Sequence, residues 1–194
     1  MKHFTVYSKQ TANRAAAELL DAVENMIGFV PNIFGVIAAS TPGLHGFVEL
    51  NNQFALSSFD ETEREIIQTA TSVERECTYC VAGHTAFAHM QKVDTDVIDA
   101  IRNNQPVADS KLQALNVFTR ALVTSKGMIH SLVLEDFLAA GYQPRQVLEV
   151  ILGICVKTFS NLTNNTIGIP LDDEFKPYQW APVSIRKSGN NQAA

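Results

Sequence analysis

The sequence lacks most of the features that would place it in a specialised class. It has no apolar run of the ~18–20 residues that a membrane-spanning helix requires. The longest candidate, Val147 to Phe159, is interrupted by Glu149 and Lys157. Met1-Lys2-His3-Phe4 leads into no apolar stretch, so no signal peptide is expected. No cluster of Lys and Arg is present that could track a phosphate backbone, and the densest basic group is Arg186-Lys187 in a polar tail. With a formal net charge of -5, this argues against nucleic acid as a partner. Cysteine is scarce and odd in number, at three, which excludes a disulfide-dense secreted fold and suits a reducing cytoplasm. No segment alternates apolar and polar residues for long, which excludes substantial sheet.

What remains is a globular chain of 194 residues, 46% of them hydrophobic, enough for one domain with a real core. The expected domain is 1–187, with 188–194 as a disordered tail. Apolar residues recur at helical spacing throughout, so the fold class is all-α. Ala15 to Met26 reads as a helix opened by Thr11 or Asn13 and ended by Gly28. Pro31 to Ala39 and Thr41 to Phe54 follow, each with proline in its first turn. Asp60 caps a helix to Glu74, and its acidic first turn suits the helix dipole. Further helices are expected from near Cys77 to Met90, from Asp94 or Thr95 to Arg102, over Lys111 to Thr124, and over His130 to Ala140. Pro144 starts a long apolar helix to Phe159. Pro170 to Trp180 shows no clear period. A faint internal echo aligns Glu65-Ile66-Ile67 with Glu149-Val150-Ile151. At that offset Cys77 falls on Asn161, Cys80 on Asn164 and His84 on Gly168, as in a duplicate that has lost its chemistry.

The chemistry concentrates between Glu65 and His84. Cys77 and Cys80 form a C-x-x-C, and His84 follows Cys80 by one helical turn. On one helix the three positions fall within an arc of about 60°. The cysteines lie in the first turn, where free N–H groups and the helix dipole favour a thiolate. Two adjacent thiols pass between dithiol and disulfide, and a nearby histidine can carry the proton. If the preceding helix packs antiparallel, Glu65 returns to the level of His84, where a carboxylate fixes the imidazole tautomer. The expected relay is Glu65, His84, then a thiol.

Other readings use the same residues. The cysteines are half of a zinc site if His84 and either Cys155 or His89 complete it, although no second ligand pair stands at zinc spacing. They are also compatible with inert core thiols. Tyr79 either packs over the site or hydrogen-bonds to it. Cys155, in an apolar helix, reads as core. His45, His89 and His130 have no companions and read as surface or core.

Arg64-Glu65, twelve residues, Cys77-Thr-Tyr-Cys80 and then His84 resembles the signature of the alkylhydroperoxidase AhpD-like proteins of the carboxymuconolactone decarboxylase superfamily. Val30-Pro31-Asn32-Ile33-Phe34, Ser40-Thr41-Pro42-Gly43-Leu44, Asn161 to Asn164, Pro170-Leu171-Asp172 and Trp180 are similar to its peroxidase-related branch. The resemblance implies an AhpD-like helical bundle that forms homo-oligomers. It also implies a thiol peroxidase or disulfide reductase that uses neither metal nor cofactor. By motif position Cys80 is the peroxidatic residue, Cys77 the resolving one, and Glu65 with His84 the relay. Two departures stand out. Tyr79 occupies a position where AhpD carries histidine, and Arg75-Glu76 replaces the usual Asn-Gly pair. Glu76 is expected to raise the pKa of Cys77.

The function expected is reduction of small organic hydroperoxides, with a cellular dithiol as reductant. A non-catalytic redox sensor or oligomeric scaffold is the alternative, and a lactone-decarboxylating lyase is a weaker one, since it has no need of a C-x-x-C. Phe34, Phe47, Phe54 and Phe87 are candidates for an apolar pocket wall.

Overall fold

Local chain chemistry sets most helix starts. The computed structural model describes residues 3–182; the expected tail and the end of the expected domain at residue 187 lie outside the described residues. Asn13, Ser40, Asp60, Asp94 and Asp109 each turn a side-chain oxygen onto a free N–H of the helix that follows. These helices are α1 (Arg14–Ile27), α3 (Thr41–Ala55), α4 (Glu61–Glu74), α6 (Thr95–Arg102) and α7 (Ser110–Thr124). At α4 the cap is reciprocal: Glu63 reaches back to the Asp60 N–H while Asp60 accepts from Glu63. Between them lie α2 (Asn32–Ile37), α5 (Thr78–Met90) and α8 (Ser131–Ala139), and α9 (Pro144–Ile167) closes the set. No strand occurs among the described residues, as the missing period-two pattern predicts.

Helix α4 is the central element, packed against α5, α6, α7 and α9, and α3 also packs on α9. Its inner face from Glu65 to Val73 is continuously buried. One contiguous apolar core runs from Ala16 on α1 to Phe175 near the C-terminus. No helix among the described residues is long and apolar enough to cross a membrane.

Three features depart from the sequence reading. Helix α9 runs on to Ile167, eight residues past the expected end at Phe159. Ser160, Asn161 and Asn164 in that extension are all buried, so tertiary contacts override their weak helix preference. Pro170 to Trp180 contains a short 3-10 helix, Asp173–Tyr178, which drives Phe175 into the core and against α5. Gly83 permits that approach: a Cβ there would stand 3.1 Å from the Phe175 ring. Cys155 is exposed on the outer face of α9 instead of lying in the core.

Candidate active site

The break between α4 and α5 builds the site. Glu76 takes a positive φ of 50°, which turns the chain sharply and lays α5 back along α4. Cys77 is then the N-cap of α5, its sulfur accepting from the Cys80 N–H at 3.4 Å. Cys80 occupies the first turn, and His84 follows on the same helix. The antiparallel return brings Glu65 beside His84, with Oε2 2.9 Å from Nδ1. Gln91, just past the end of α5, donates to the other Glu65 oxygen at 3.0 Å. Both carboxylate oxygens are therefore satisfied in a residue that is 3% exposed.

The second ring nitrogen of His84 does not meet a cysteine. Its Nε2 lies 2.7 Å from Lys157 Nζ, which projects from α9. A lysine ammonium has donors only, so Nε2 accepts and the ring proton sits on Nδ1, donated to Glu65. Burial lowers the His84 pKa and the Lys157 charge adds to this, with Glu65 opposing both; the imidazole is neutral near pH 7. The sequence reading placed this imidazole next to the Cys80 sulfur. A buried ammonium needs an acceptor more than a thiol does, and the charge-assisted bond wins.

The thiols differ in placement. Cys80 lines a cavity of about 210 Å³, whereas Cys77 is fully buried and does not line it. Phe34, Phe47, Phe87 and Phe175 form the aromatic wall, with Glu65, His84 and Lys157 at the polar end. Phe54, expected in that wall, instead packs against α9 at Gly153. The thiols also differ in acidity. Burial pushes Cys80 up, but the Cys77 hydrogen bond, the Lys157 charge, and the side chains of Asn161 and Ser160 outweigh it, bringing the pKa to about 6. Cys77, hydrogen-bonded to Cys80 and buried, is driven up far above the ordinary thiol range. Glu76 is exposed and is not the cause of that rise. Asn164 Nδ2 donates to Cys77 at 3.4 Å.

Tyr79, between the cysteines, is a tie. Its hydroxyl donates to Asp172 and accepts from the Ile33 N–H at 3.2 Å. Asp172 also accepts from the Asn32 N–H at 2.8 Å, so the start of α2, the first turn of α5 and the C-terminal segment meet at one point. Lys157, Gln91, Asn161, Asn164 and Asp172 were all missed as site residues from sequence. Lys157 left one signal, a charge that interrupts an apolar run. Among the described residues no group of three or more His, Cys, Asp or Glu side chains could hold a metal ion. His89, one of the two extra ligands considered, is exposed and lies against the Tyr178 ring at a tilt of 37°.

Comparison with known proteins bears on the fold and on the segment that carries the motif. Residues 44–120 match the carboxymuconolactone decarboxylase family model. No curated protein matches the chain. The fold is similar to that of an uncharacterized peroxidase-related protein with an alkylhydroperoxidase AhpD core from Ralstonia eutropha JMP134. That match has a TM-score of 0.80 and 22% identity, covering 89% of this chain and 93% of that one. A peroxidase-related protein from Silicibacter sp. TM1040 matches with a TM-score of 0.75 and 18% identity, over 89% and 94% of the two chains. The debrominase Bmp8 matches with a TM-score of 0.74 and 17% identity, over 85% and 90%; a cysteine-to-alanine variant of it is known in complex with 2,3,4-tribromopyrrole. The segment that carries the motif matches the carboxymuconolactone decarboxylase family model, and the whole chain has the helical fold seen in an AhpD-core protein.

Proposed function

We propose that the protein is a thiol peroxidase that reduces small organic hydroperoxides at Cys80. The observation that carries this reading is the unequal placement of the two cysteines: Cys80 faces the cavity and is the more acidic, and Cys77 stands behind it as a protonated thiol. The Cys80 thiolate attacks the terminal oxygen of R–O–O–H. The O–O bond breaks, Cys80 becomes a sulfenic acid, and the alkoxide takes one proton to leave as an alcohol. The Cys77 thiol then attacks the Cys80 sulfur, water leaves, and a disulfide closes. An external dithiol reopens it and is itself oxidised. The chain of Glu65, His84 and Lys157 opens on the cavity and holds the mobile proton. The aromatic wall favours an apolar R group. The reading includes a homo-oligomer, supported by the apolar residues exposed along the outer face of α9.

A second reading uses the same electron balance. A thiolate beside an aromatic wall can attack bromine on a bromoarene. The ring carbon takes a proton, Cys77 displaces bromide from Cys80, and the same disulfide forms. The four phenylalanines of the wall and the likeness to a debrominase favour it.

Peroxide consumption by pure protein with excess dithiothreitol tests the first reading. Wild type should turn over many equivalents of cumene hydroperoxide, and Cys80→Ser should fall to the rate of dithiothreitol alone. One equivalent consumed per reductant exposure identifies a sensor. Bromide release from a bromopyrrole, without peroxide turnover, moves the assignment to the second reading.

A further inference from the structure

The mechanism above places Lys157 in the proton chain but leaves its charge unbalanced. Among the described residues it is the one buried lysine or arginine, 4% exposed. Its ammonium bonds to a neutral acceptor, His84 Nε2, at 2.7 Å. Among the described residues no carboxylate lies within ion-pair distance of its Nζ, and Glu65 is reached only through the imidazole. A buried ammonium in that position calls for an anion on its remaining side.

The helix that carries it shows where that anion lies. Lys157, Ser160, Asn161 and Asn164 recur at intervals of three, one and three residues, which places them on one face of α9, and all four are buried. Asn164 meets Cys77, Ser160 and Asn161 stand against Cys80, and Lys157 meets His84. This polar stripe lies opposite the C-x-x-C. The ionisable groups around Cys80 are Cys77, Tyr79 and His84 on its own helix, Glu65 from α4 and Lys157 from α9. Of these, Lys157 supplies the positive charge.

We propose that Lys157 is the counter-ion of the Cys80 thiolate, and that Glu65 and His84 position its ammonium instead of removing the thiol proton. Cys80 is then activated by a fixed charge. The neutral imidazole follows from the same arrangement, since its basic nitrogen is already occupied by a lysine proton. The direction of the Lys157 effect on Cys80, which is downward, agrees. The proposal rests on the reading of Cys80 as nucleophile, but its test reads the thiol and not turnover.

Iodoacetamide pulses across a pH series, with alkylation at Cys80 located by tandem mass spectrometry, give the titration midpoint of that sulfur. Lys157→Met keeps the stem and removes the charge. It should raise the midpoint by about one to three pH units, the range an opposite charge at close range produces. From a starting pKa of about 6, labelling at pH 7 should fall by ~2-fold for a rise of one pH unit, ~10-fold for two and ~100-fold for three. Lys157→Arg should retain most of the wild-type midpoint. His84→Gln leaves the cation in place and should move the midpoint less than Lys157→Met. An unchanged midpoint in a folded Lys157→Met protein overturns the proposal. So does a His84→Gln shift as large as that of Lys157→Met, which restores the histidine as base. If Lys157→Met fails to fold, Lys157→Gln is read by the same criteria, with Lys157→Arg as the charge-retaining control. Absence of peroxide turnover together with the expected shift removes the peroxidase reading and leaves the counter-ion standing.

Discussion

A tyrosine inside a C-x-x-C would ordinarily be suspected of chemistry, and here its hydroxyl is committed to structure. Tyr79 holds Asp172 and the Ile33 N–H, and its ring packs edge-on against Phe175. Tyr79→Phe keeps the ring and removes the hydroxyl, leaving a buried N–H and a largely buried carboxylate each short of a partner. The expected loss of stability is ~1–3 kcal/mol, the cost of orphaning such groups. Thermal denaturation should show a lowered Tm, while Cys80 labelling at neutral pH should change little. An undisturbed Tm would mean that the hydroxyl does not tie these segments. Short spacings sufficed to put Cys77, Cys80 and His84 along one helix, and the antiparallel return sufficed to bring Glu65 to His84, but not to show that the imidazole turns to Lys157 and away from Cys80. Lys157, Asn164 and Asp172 were not legible in the sequence, because each meets the motif across more than seventy residues of intervening chain. No local period records such a meeting.

Among the elements, helix starts were read best and the end of α9 worst. Caps are local: Asp60, Asp94 and Asp109 bind N–H groups two or three residues on, so residue type and position suffice. The end of α9 depends on burial instead. Ser160 to Ile167 is rich in Ser, Thr and Asn, which compete with helix through local hydrogen bonds and read as a terminus. Contact with the cysteines keeps the helix going, and the left-handed Gly168 finally stops it. The internal echo pairs Cys77 and Cys80 with Asn161 and Asn164, and the structure sets those asparagines against the cysteines. Gly153 fixes how closely α9 can lie on α3 and α4. A Cβ there would stand 2.7 Å from the Phe54 ring and 2.8 Å from Ile67, both buried. Gly153→Ala would gain ~1 kcal/mol in helix preference on an exposed face. Overpacking costs ~1–3 kcal/mol and should prevail. Denaturant unfolding should therefore show a lower midpoint with an unchanged slope, and a raised midpoint would mean that the helices separate freely.

On the scale of the whole molecule, the outer face of α9 exposes a line of apolar side chains. Leu148, Ile151 and Leu162 are 69%, 40% and 56% exposed, and with Cys155 they recur at three, four and seven residues. Such a stripe favours burial against another copy. Light scattering at micromolar concentration should give a multiple of the 21.3 kDa chain mass, and a value near one chain would count against association. The site itself is also a property of the whole chain. The family-matched segment ends at residue 120, so it contains Glu65, both cysteines and His84 but neither Lys157 nor Asn164 nor Asp172. The Cys80 sulfur and three of the groups that lower its pKa, Lys157, Ser160 and Asn161, are therefore encoded on separate stretches. A substitution on α9 can retune that sulfur while the motif stays letter for letter the same. Two proteins with identical motifs can then work at different pH, or expel different leaving groups. The α9 residue that faces the motif histidine is the first place to look when sorting one from the other.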